Sequence, residues 1–274
     1  MERTSMLNRQ PAVAGQLYEA EPDKLRKEVA RLIPSVKKKQ KGAAHLVIVP
    51  HAGYLYSGQV AGATFARAHI PETVILLGPN HQSLGASLAV SSEDWATPLG
   101  PVPLARDLAE ALVHGSKLFA TDNLPHQREH SLEVQLPFLQ SLQKNLRIVP
   151  IAVSRLLMPQ CRQAAAELAK VVKNCAEPVL LVASTNMTHD EPRFEASEKD
   201  QLALGHVLSL DPVGLHRTVL TQRISMCGVI PVTIALLTAI ELGAEHTELI
   251  GYADSGYVTG NTEQVVGYAG VMVR

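Results

Sequence analysis

Two histidines follow two apolar runs of the chain, and together they suggest a metal site. His51 comes after residues 46–49 and His81 after residues 73–77, each beyond a short break that contains proline. Runs rich in valine, isoleucine and leucine are typical of buried strands, and proline removes a backbone donor. Ligands of open α/β sheets bind beyond the carboxyl ends of the strands. If the two strands are neighbours, both imidazoles can reach one ion; alternatively, each histidine only caps its own loop.

Cys227 is a third candidate ligand. It precedes a glycine and an apolar run, residues 229–242, that predicts a buried helix. A helix N-terminus favours the thiolate, and thiolate and neutral imidazole are both good ligands for borderline divalent metals. Taken alone, Cys227 could equally be a small buried apolar residue. Cys161 and Cys175 are interpreted as bystanders.

A further pattern, His126-x-x-Glu129-His130, matches the H-x-x-E-H template of inverted zinc proteases. The template requires a helix, because two histidines four residues apart must share one face. The apolar helical pattern begins only at Leu132, so a polar loop ahead of a helix is the preferred interpretation. His126 is then structural, whereas His130 and Glu133 are predicted to face the cleft. A hydrolase built on His126, Glu129 and His130 is kept as an alternative.

Strands and helices alternate along the chain without a break in composition. This alternation predicts one α/β domain over residues 1–274, with a central mixed sheet flanked by helices. Helices are predicted at 23–32, 58–68, 104–114, from 132 onward, and at 159–173, 193–210, 212–221 and 229–242. Strands are predicted at 46–49, 73–77, 88–91, 146–153, 178–184, 248–252 and 265–273, with a turn-rich loop at 95–100.

Composition excludes several classes of partner. The chain has 274 residues, 46% of them hydrophobic, 19% charged and only 4% aromatic, with a formal net charge of −1. The one basic run, Lys37 to Lys41, is short and is interpreted as a solvated linker. No nucleic-acid partner is therefore expected. The polar start, residues 1–10, has no signal-peptide core, and no run is long enough to span a membrane. Three cysteines without a CxxC pair fit a reducing compartment, and a cytoplasmic location is expected.

Motifs spread over nearly the whole chain resemble those of the Memo family, in the same order. They are Ala14-Gly15-x-x-Tyr18, Pro50-His51-Ala52-Gly53-Tyr54-x-Tyr56-Ser57-Gly58, Leu77-Gly78-Pro79-x-His81, Thr97-Pro98-Leu99-Gly100, Glu129-His130-Ser131-Leu132-Glu133-Val134-Gln135-Leu136-Pro137-Phe138-Leu139, Cys227-Gly228 and Val266-Gly267-Tyr268. The long Glu-His-Ser-Leu-Glu-Val-Gln run is the most specific of them.

The resemblance implies a fold similar to the class III extradiol dioxygenases, which hold non-haem iron through two histidines and a carboxylate. His51 and His81 match the two histidines, and Cys227 stands where those enzymes have glutamate. His189, which follows the predicted strand 178–184, matches their acid–base histidine. The implied cofactor is a divalent metal, Fe(II) first, with Cu or Zn as alternatives because a thiolate softens the site.

Two positions depart from the family pattern. Asn186 stands in a Ser-Thr-Asn run where the family commonly has Ser-Ser-Asp, and Tyr257 replaces the acid of a Ser-Gly-Asp motif. A neutral amide at position 186 removes a charge beside the predicted acid–base histidine. The candidate substrate-binding residues are Tyr54, His130, Glu133 and Asn186.

Two hypotheses of different class follow from the resemblance. The first is a metal-dependent redox protein with a dioxygenase-like activity. Its ligands would be His51, His81 and Cys227, and His189 would be its acid–base group. The second is a non-catalytic binding module whose cleft holds a small molecule, a small anion or a (phospho)peptide. Metal content would discriminate between them.

Overall fold

The structure is a computed structural model that describes residues 8–37 and 41–274. Two lysines of the predicted linker, Lys38 and Lys39, and the first seven residues of the polar N-terminus lie outside the described residues. The strands are β1 (Leu46–Val49), β2 (Thr73–Pro79), β3 (Leu88–Val90), β4 (Trp95–Thr97), β5 (Gly100–Val102), β6 (Phe119–Thr121), β7 (Arg147–Val153), β8 (Val179–Ser184), β9 (Thr247–Asp254) and β10 (Gly267–Val273).

Nine α-helices occur in the described part of the chain, and a 3-10 turn precedes the fourth of them. They are α1 (Pro22–Leu32), α2 (Tyr54–Arg67), α3 (Arg106–His114), α4 (Leu136–Leu142) after the 3-10 turn Glu133–Gln135, α5 (Met158–Lys173), α6 (Arg193–Leu208), α7 (Pro212–Thr221), α8 (Val229–Glu241) and α9 (Gly256–Thr259). Among these residues, no helix is both long and apolar enough to cross a membrane.

Eight strands form one mixed sheet in the order β6-β3-β7-β2-β8-β1-β10-β9. The four central strands, β7, β2, β8 and β1, are parallel, whereas β10 and β9 add antiparallel pairs at one side. At the other side β3 runs antiparallel to β7, and β6 runs parallel to β3. This architecture confirms the predicted α/β domain with a central mixed sheet flanked by helices.

The two faces of the sheet are covered by separate groups of helices. Along β1, Leu46 and Ile48 face a core that includes α3, α5, α7 and α8, while Val47 and Val49 face a core that includes α1, α2 and α4. This alternation is the expected consequence of side chains pointing to opposite faces of a strand. The central strands are apolar on both sides because both of their faces are buried.

The order of the central strands settles how the two histidines can meet. β8 lies between β1 and β2, so the strands that carry His51 and His81 are not neighbours. All three strands are parallel, however, and their carboxyl ends share one edge of the sheet. The two histidines therefore reach over the end of β8, and the residues that follow β8 become part of the same site.

The local differences from the sequence prediction occur in short elements. The predicted loop 95–100 is a hairpin of β4 and β5, and β6 and α9 were not predicted. β4, β5 and β6 have three residues each, which is too short to show a period of two, and unlike β3 they are not continuous apolar runs. Helix α2 begins four residues earlier than predicted, at Tyr54, whose backbone N–H donates to the carbonyl of Leu17.

Candidate metal site

Three imidazoles lie together at the carboxyl edge of the sheet. The ligand nitrogens of His51, His81 and His130 are all within 4.8 Å of one another. The ring centroid of His51 lies 5.3 Å from that of His81 and 5.4 Å from that of His130. His51 is buried, His130 is half-buried and His81 is exposed, so the group is open on one side. His130, predicted as a substrate-binding residue, thus belongs to the candidate ligand group.

The segment that carries His130 packs directly on the end of β2. A Cβ atom on Gly78 would lie 2.7 Å from both the Ser131 hydroxyl and the Leu132 side chain. Only glycine allows this approach. The Ser131 hydroxyl also donates to the carbonyl of Pro79 at 3.2 Å. The Gly78-Pro79 break therefore ends the strand and also makes room for the third histidine.

Glu129 orients His81 and the chain around it. Its buried carboxylate accepts from the backbone N–H of His81 at 2.7 Å and from the His81 Nδ1 at 2.9 Å. It also accepts the backbone N–H groups of His130 and Ser131. Burial favours the neutral acid, but the His81 ring and these N–H donors outweigh it and lower the pKa of Glu129 to about 2. Because His81 Nδ1 donates to Glu129, its Nε2 is left for the site.

A hydroxyl relay fixes the tautomer of His51. The Ser184 hydroxyl donates to the carbonyl of Ser131 at 2.8 Å, so it must accept from His51 Nδ1, also at 2.8 Å. Nδ1 therefore carries a proton, and Nε2 is the ring nitrogen that faces Cys227 and can bind a metal. Histidines that bind metals commonly donate their other ring N–H to such a partner. His51 and His81 are both oriented in this way.

Cys227 lies beside His51, next to the group of three imidazoles. Its Sγ lies 3.3 Å from His51 Nε2 and accepts from the backbone N–H of Asn186 at 3.3 Å. Burial opposes ionisation of the thiol, but His51, His81 and His189 outweigh it and hold the pKa of Cys227 well below its usual value. The lowered pKa favours the thiolate, which is the form that binds metals.

Gly228 allows Cys227 to come this close. A Cβ atom on Gly228 would lie 2.5 Å from the Ser184 carbonyl oxygen and from the Thr185 Cβ. The Gly228 N–H instead donates to the Thr185 hydroxyl at 2.9 Å. The start of α8 is thereby docked on the end of β8, which places the sulfur beside His51.

Asn186 and His189 follow β8 and contact the same region. The side-chain oxygen of Asn186 accepts from the backbone N–H of His51 at 2.9 Å, a contact that an amide makes without adding charge. His189 donates its Nδ1 proton to the carbonyl of Ser225 at 2.9 Å, and its backbone N–H donates to the Ser225 hydroxyl. Its Nε2 is therefore the ring nitrogen that can accept a proton.

The other two candidate substrate-binding residues, Tyr54 and Glu133, have structural partners. The Tyr54 hydroxyl is buried and donates to the carbonyl of Val134 at 2.7 Å. Glu133 accepts from the Tyr18 hydroxyl at 2.7 Å and pairs with Arg9. These contacts occupy both polar groups inside the protein and do not direct them toward the three imidazoles.

His126 has no place in the cluster. It is buried, donates its Nε2 proton to the carbonyl of Ala89 at 3.0 Å, and packs against Trp95 at a centroid distance of 5.6 Å. Burial lowers its pKa to about 4, so the ring is neutral. The segment from His126 to His130 is not helical. The condition that the H-x-x-E-H template requires is therefore not met.

We expect His126→Ala to leave the metal content of the purified protein unchanged, because the ring faces Ala89 and Trp95 rather than the cluster. The variant will be less stable than the parent, since a buried ring is lost. Elemental analysis of the parent, His126→Ala and the matched variant His130→Ala measures this. His130→Ala should lose metal, whereas loss of metal from His126→Ala as well would revive the hydrolase alternative, in which both histidines are ligands.

Comparison with known proteins places the chain in a family. Residues 9–272 match the family described as Memo-like protein. A MEMO1 family protein from Methanopyrus kandleri is 38% identical over 98% of this chain and 99% of its own length. MEMO1 family proteins from Methanosarcina barkeri and Aquifex aeolicus are each 37% identical, over 97% and 96% of this chain and 100% and 98% of their own lengths. The chain belongs to the Memo-like family, which confirms the resemblance found in the sequence.

A solved structure shares the fold at much lower identity. An uncharacterised protein from Escherichia coli K12 superposes with a TM-score of 0.52 at 11% sequence identity, over 82% of this chain and 98% of that chain. At this identity the similarity supports the α/β architecture and carries no statement about activity.

Proposed function

We propose that the protein is a metal-binding redox protein whose site consists of His51, His81, His130 and Cys227. The observation that carries the proposal is the group of three imidazoles within 4.8 Å of one another, with the Cys227 sulfur 3.3 Å from His51 Nε2. Three nitrogens and one thiolate are a strong donor set for Fe(II), Cu or Zn. Iron accepts more than four ligands, so it would keep positions open for reactants.

The surroundings of these residues support a metal site over a chance cluster. Glu129 and Ser184 fix the ring orientations of His81 and His51 through their Nδ1 atoms. Such contacts hold the Nε2 atoms in place and raise their basicity as ligands. The lowered pKa of Cys227 supplies the thiolate. A reducing compartment such as the cytoplasm would keep this sulfur from forming disulfides.

A bound iron or copper ion would supply redox capacity and open coordination positions. The chain itself supplies a proton-transfer group, because His189 Nε2 is free while Nδ1 is held by Ser225. Asn186 holds the backbone of His51, and its neutral amide adds no competing charge. The reaction class that fits these parts is oxidation of a small molecule by dioxygen, which would accept the electrons while His189 moves the proton.

We expect His189→Ala to bind metal as tightly as the parent, because its ring is held by Ser225 and is not among the clustered imidazoles. Turnover should fall by roughly 100-fold to 10,000-fold, the usual effect of losing a general acid or base. Dioxygen consumption by the metal-loaded protein with a panel of catechols measures turnover, and elemental analysis measures loading. Equal turnover by the variant would remove His189 from the mechanism.

The proposed function is tested by metal content. The protein is purified without a histidine tag under anaerobic, metal-replete conditions, and iron, copper and zinc are measured per chain. One equivalent of iron or copper is expected. A metal-free protein that binds a phosphopeptide or small anion in the same cleft would instead favour the binding-module hypothesis.

A further inference from the structure

Arg9 contacts the segment that carries His130, although it lies 121 positions earlier in the chain. We infer that Arg9 is a positioning residue for the metal site, holding residues 126–133 so that His130 reaches the other two imidazoles. This inference rests on the proposed metal site and extends it to the N-terminal part of the chain. Arg9 is only 4% exposed, so these contacts are inside the protein.

The guanidinium group makes three contacts with this one segment. Nε donates to the carbonyl of His126 at 2.9 Å, and Nη2 donates to the carbonyl of Glu129 at 2.6 Å. Nη1 donates to the carboxylate of Glu133. The three acceptors lie before and after His130, so Arg9 fixes both ends of the short stretch that contains it.

Arg9 is itself held firmly. Its backbone N–H donates to the carbonyl of Asp94 at 2.9 Å, and its carbonyl accepts from the N–H of Ala96 at 2.8 Å. Its guanidinium lies over the Trp95 ring, 4.3 Å from the centroid. The hairpin strand β4 thus fixes both the backbone and the side chain of Arg9. Through its three guanidinium contacts, Arg9 then holds residues 126–133 in a defined position relative to β4.

The other three ligands each adjoin a strand or a helix. His51 and His81 follow strands of the central sheet, and Cys227 precedes α8. His130 lies in a stretch without helix or strand, between β6 and the 3-10 turn. His130 therefore depends more than the other ligands on contacts from outside its own segment. The planar arrangement of five donors in arginine suits this contact, and a lysine cannot reproduce it.

The test compares Arg9→Lys with His130→Ala in a titration with Co(II), whose visible spectrum reports the ligand set. We expect Arg9→Lys to lower Co(II) affinity about 10-fold to 100-fold, as for other residues that orient metal ligands. Its spectrum should change in the same direction as that of His130→Ala. The double variant Arg9→Lys/His130→Ala should bind Co(II) like His130→Ala alone, within roughly twofold, because both changes act on the same ligand, the His130 ring.

Two further variants test whether weaker Co(II) binding could instead come from a general loss of folding. Tyr18→Phe removes one hydrogen bond to Glu133 but leaves the Arg9 contacts, so it should bind Co(II) like the parent. The double variant Arg9→Met/Glu133→Gln avoids leaving a buried charge unpaired and should reproduce the binding loss of Arg9→Lys. Parental affinity and spectrum in Arg9→Lys, or additive effects of Arg9→Lys and His130→Ala, would overturn the inference.

A measurement without metal separates this inference from the proposed function. In protein labelled with ¹³C only at histidine, Arg9→Lys should shift the ring signal of His130 and leave that of His189 in place. An unchanged His130 signal would refute the role of Arg9 directly. If the parent binds no metal yet the His130 signal shifts in Arg9→Lys, the proposed function fails while the positioning role of Arg9 stands.

Discussion

Replacing Cys227 by serine is expected to weaken metal binding by more than about 100-fold, beyond the 10-fold to 100-fold cost of losing a residue that merely orients a ligand. The volume is nearly unchanged, so folding should change little. The serine hydroxyl stays protonated at neutral pH and is a poor ligand, whereas the Cys227 thiol has a lowered pKa. Anaerobic calorimetric titration of Fe(II) and Cu(I) into both proteins measures the difference.

The matched control is Cys175→Ser, since Cys175 is a half-buried cysteine whose Sγ donates to the carbonyl of Val171, away from the three imidazoles. It should bind both metals like the parent. A third variant, Cys227→Glu, supplies a carboxylate and should shift the preference toward iron relative to copper. If Cys227→Ser binds both metals as tightly as the parent, the sulfur is not a ligand and the binding-module hypothesis becomes the better one.

Glu129→Gln is expected to reduce both stability and metal affinity. The carboxylate accepts from the backbone and the ring of His81. A glutamine amide must turn an N–H group toward at least one of these donors. The shift of the Glu129 pKa from 4.5 to about 2 corresponds to about 3 kcal/mol of unfolding free energy at neutral pH. Metal affinity should fall about 10-fold to 100-fold, because His81 loses its orienting partner.

The same pKa shift predicts the pH dependence of metal-free stability. A depressed pKa contributes stability that is present above the unfolded value and lost as pH falls through the folded value, so the Glu129 contribution disappears between about pH 4.5 and pH 2. His81 behaves oppositely. Burial disfavours its charge, but Cys227 and Glu129 raise its pKa to about 10, and its contribution is lost as pH rises from about 6.5 through 10.

Urea unfolding of the parent and of Glu129→Gln across this pH range measures the prediction. The difference in unfolding free energy between the parent and Glu129→Gln should be largest from about pH 4.5 to about pH 6.5. It should become smaller as the pH falls toward 2. Glu177→Gln, at an exposed surface position, is the control and should give a curve parallel to the parent. A difference between parent and Glu129→Gln that stays constant down to pH 2 would show that the carboxylate charge is not the source of the effect.

Much of the fold could be predicted from the sequence, because the central strands are buried on both faces. Their runs of valine, leucine and isoleucine stand out, and the predicted strand at residues 46–49 matches β1. The predicted helix 212–221 also matches α7. Strand order could not be predicted in this way, since every central strand has the same apolar character. The position of β8 between β1 and β2 therefore appeared only in the structure.

The site was predictable only where its residues follow strands or belong to a family motif. His51 and His81 were recognised because each follows an apolar run. The third imidazole, His130, was assigned to the cleft, but its approach depends on Gly78 and on contacts with Arg9. These contacts join positions far apart in the chain, and no local pattern reveals them. Glu129 was noticed in the H-x-x-E-H pattern and in the family motif, but neither pattern predicts its contact with His81.

The placement of β1 has a consequence for when the candidate metal site can form during synthesis. In the described residues β1 pairs with β8 and with β10, and both partners come later in the sequence. The strand that leads to His51 thus has no sheet partner until β8 has been made, and Cys227 follows later still. Long-range pairing of this kind is slow compared with local helix formation. We therefore expect the candidate ligand set to come together only after the segments through Cys227 have been synthesised and β8 has paired with β1, so that a metal would bind the folded protein rather than the first histidine to leave the ribosome.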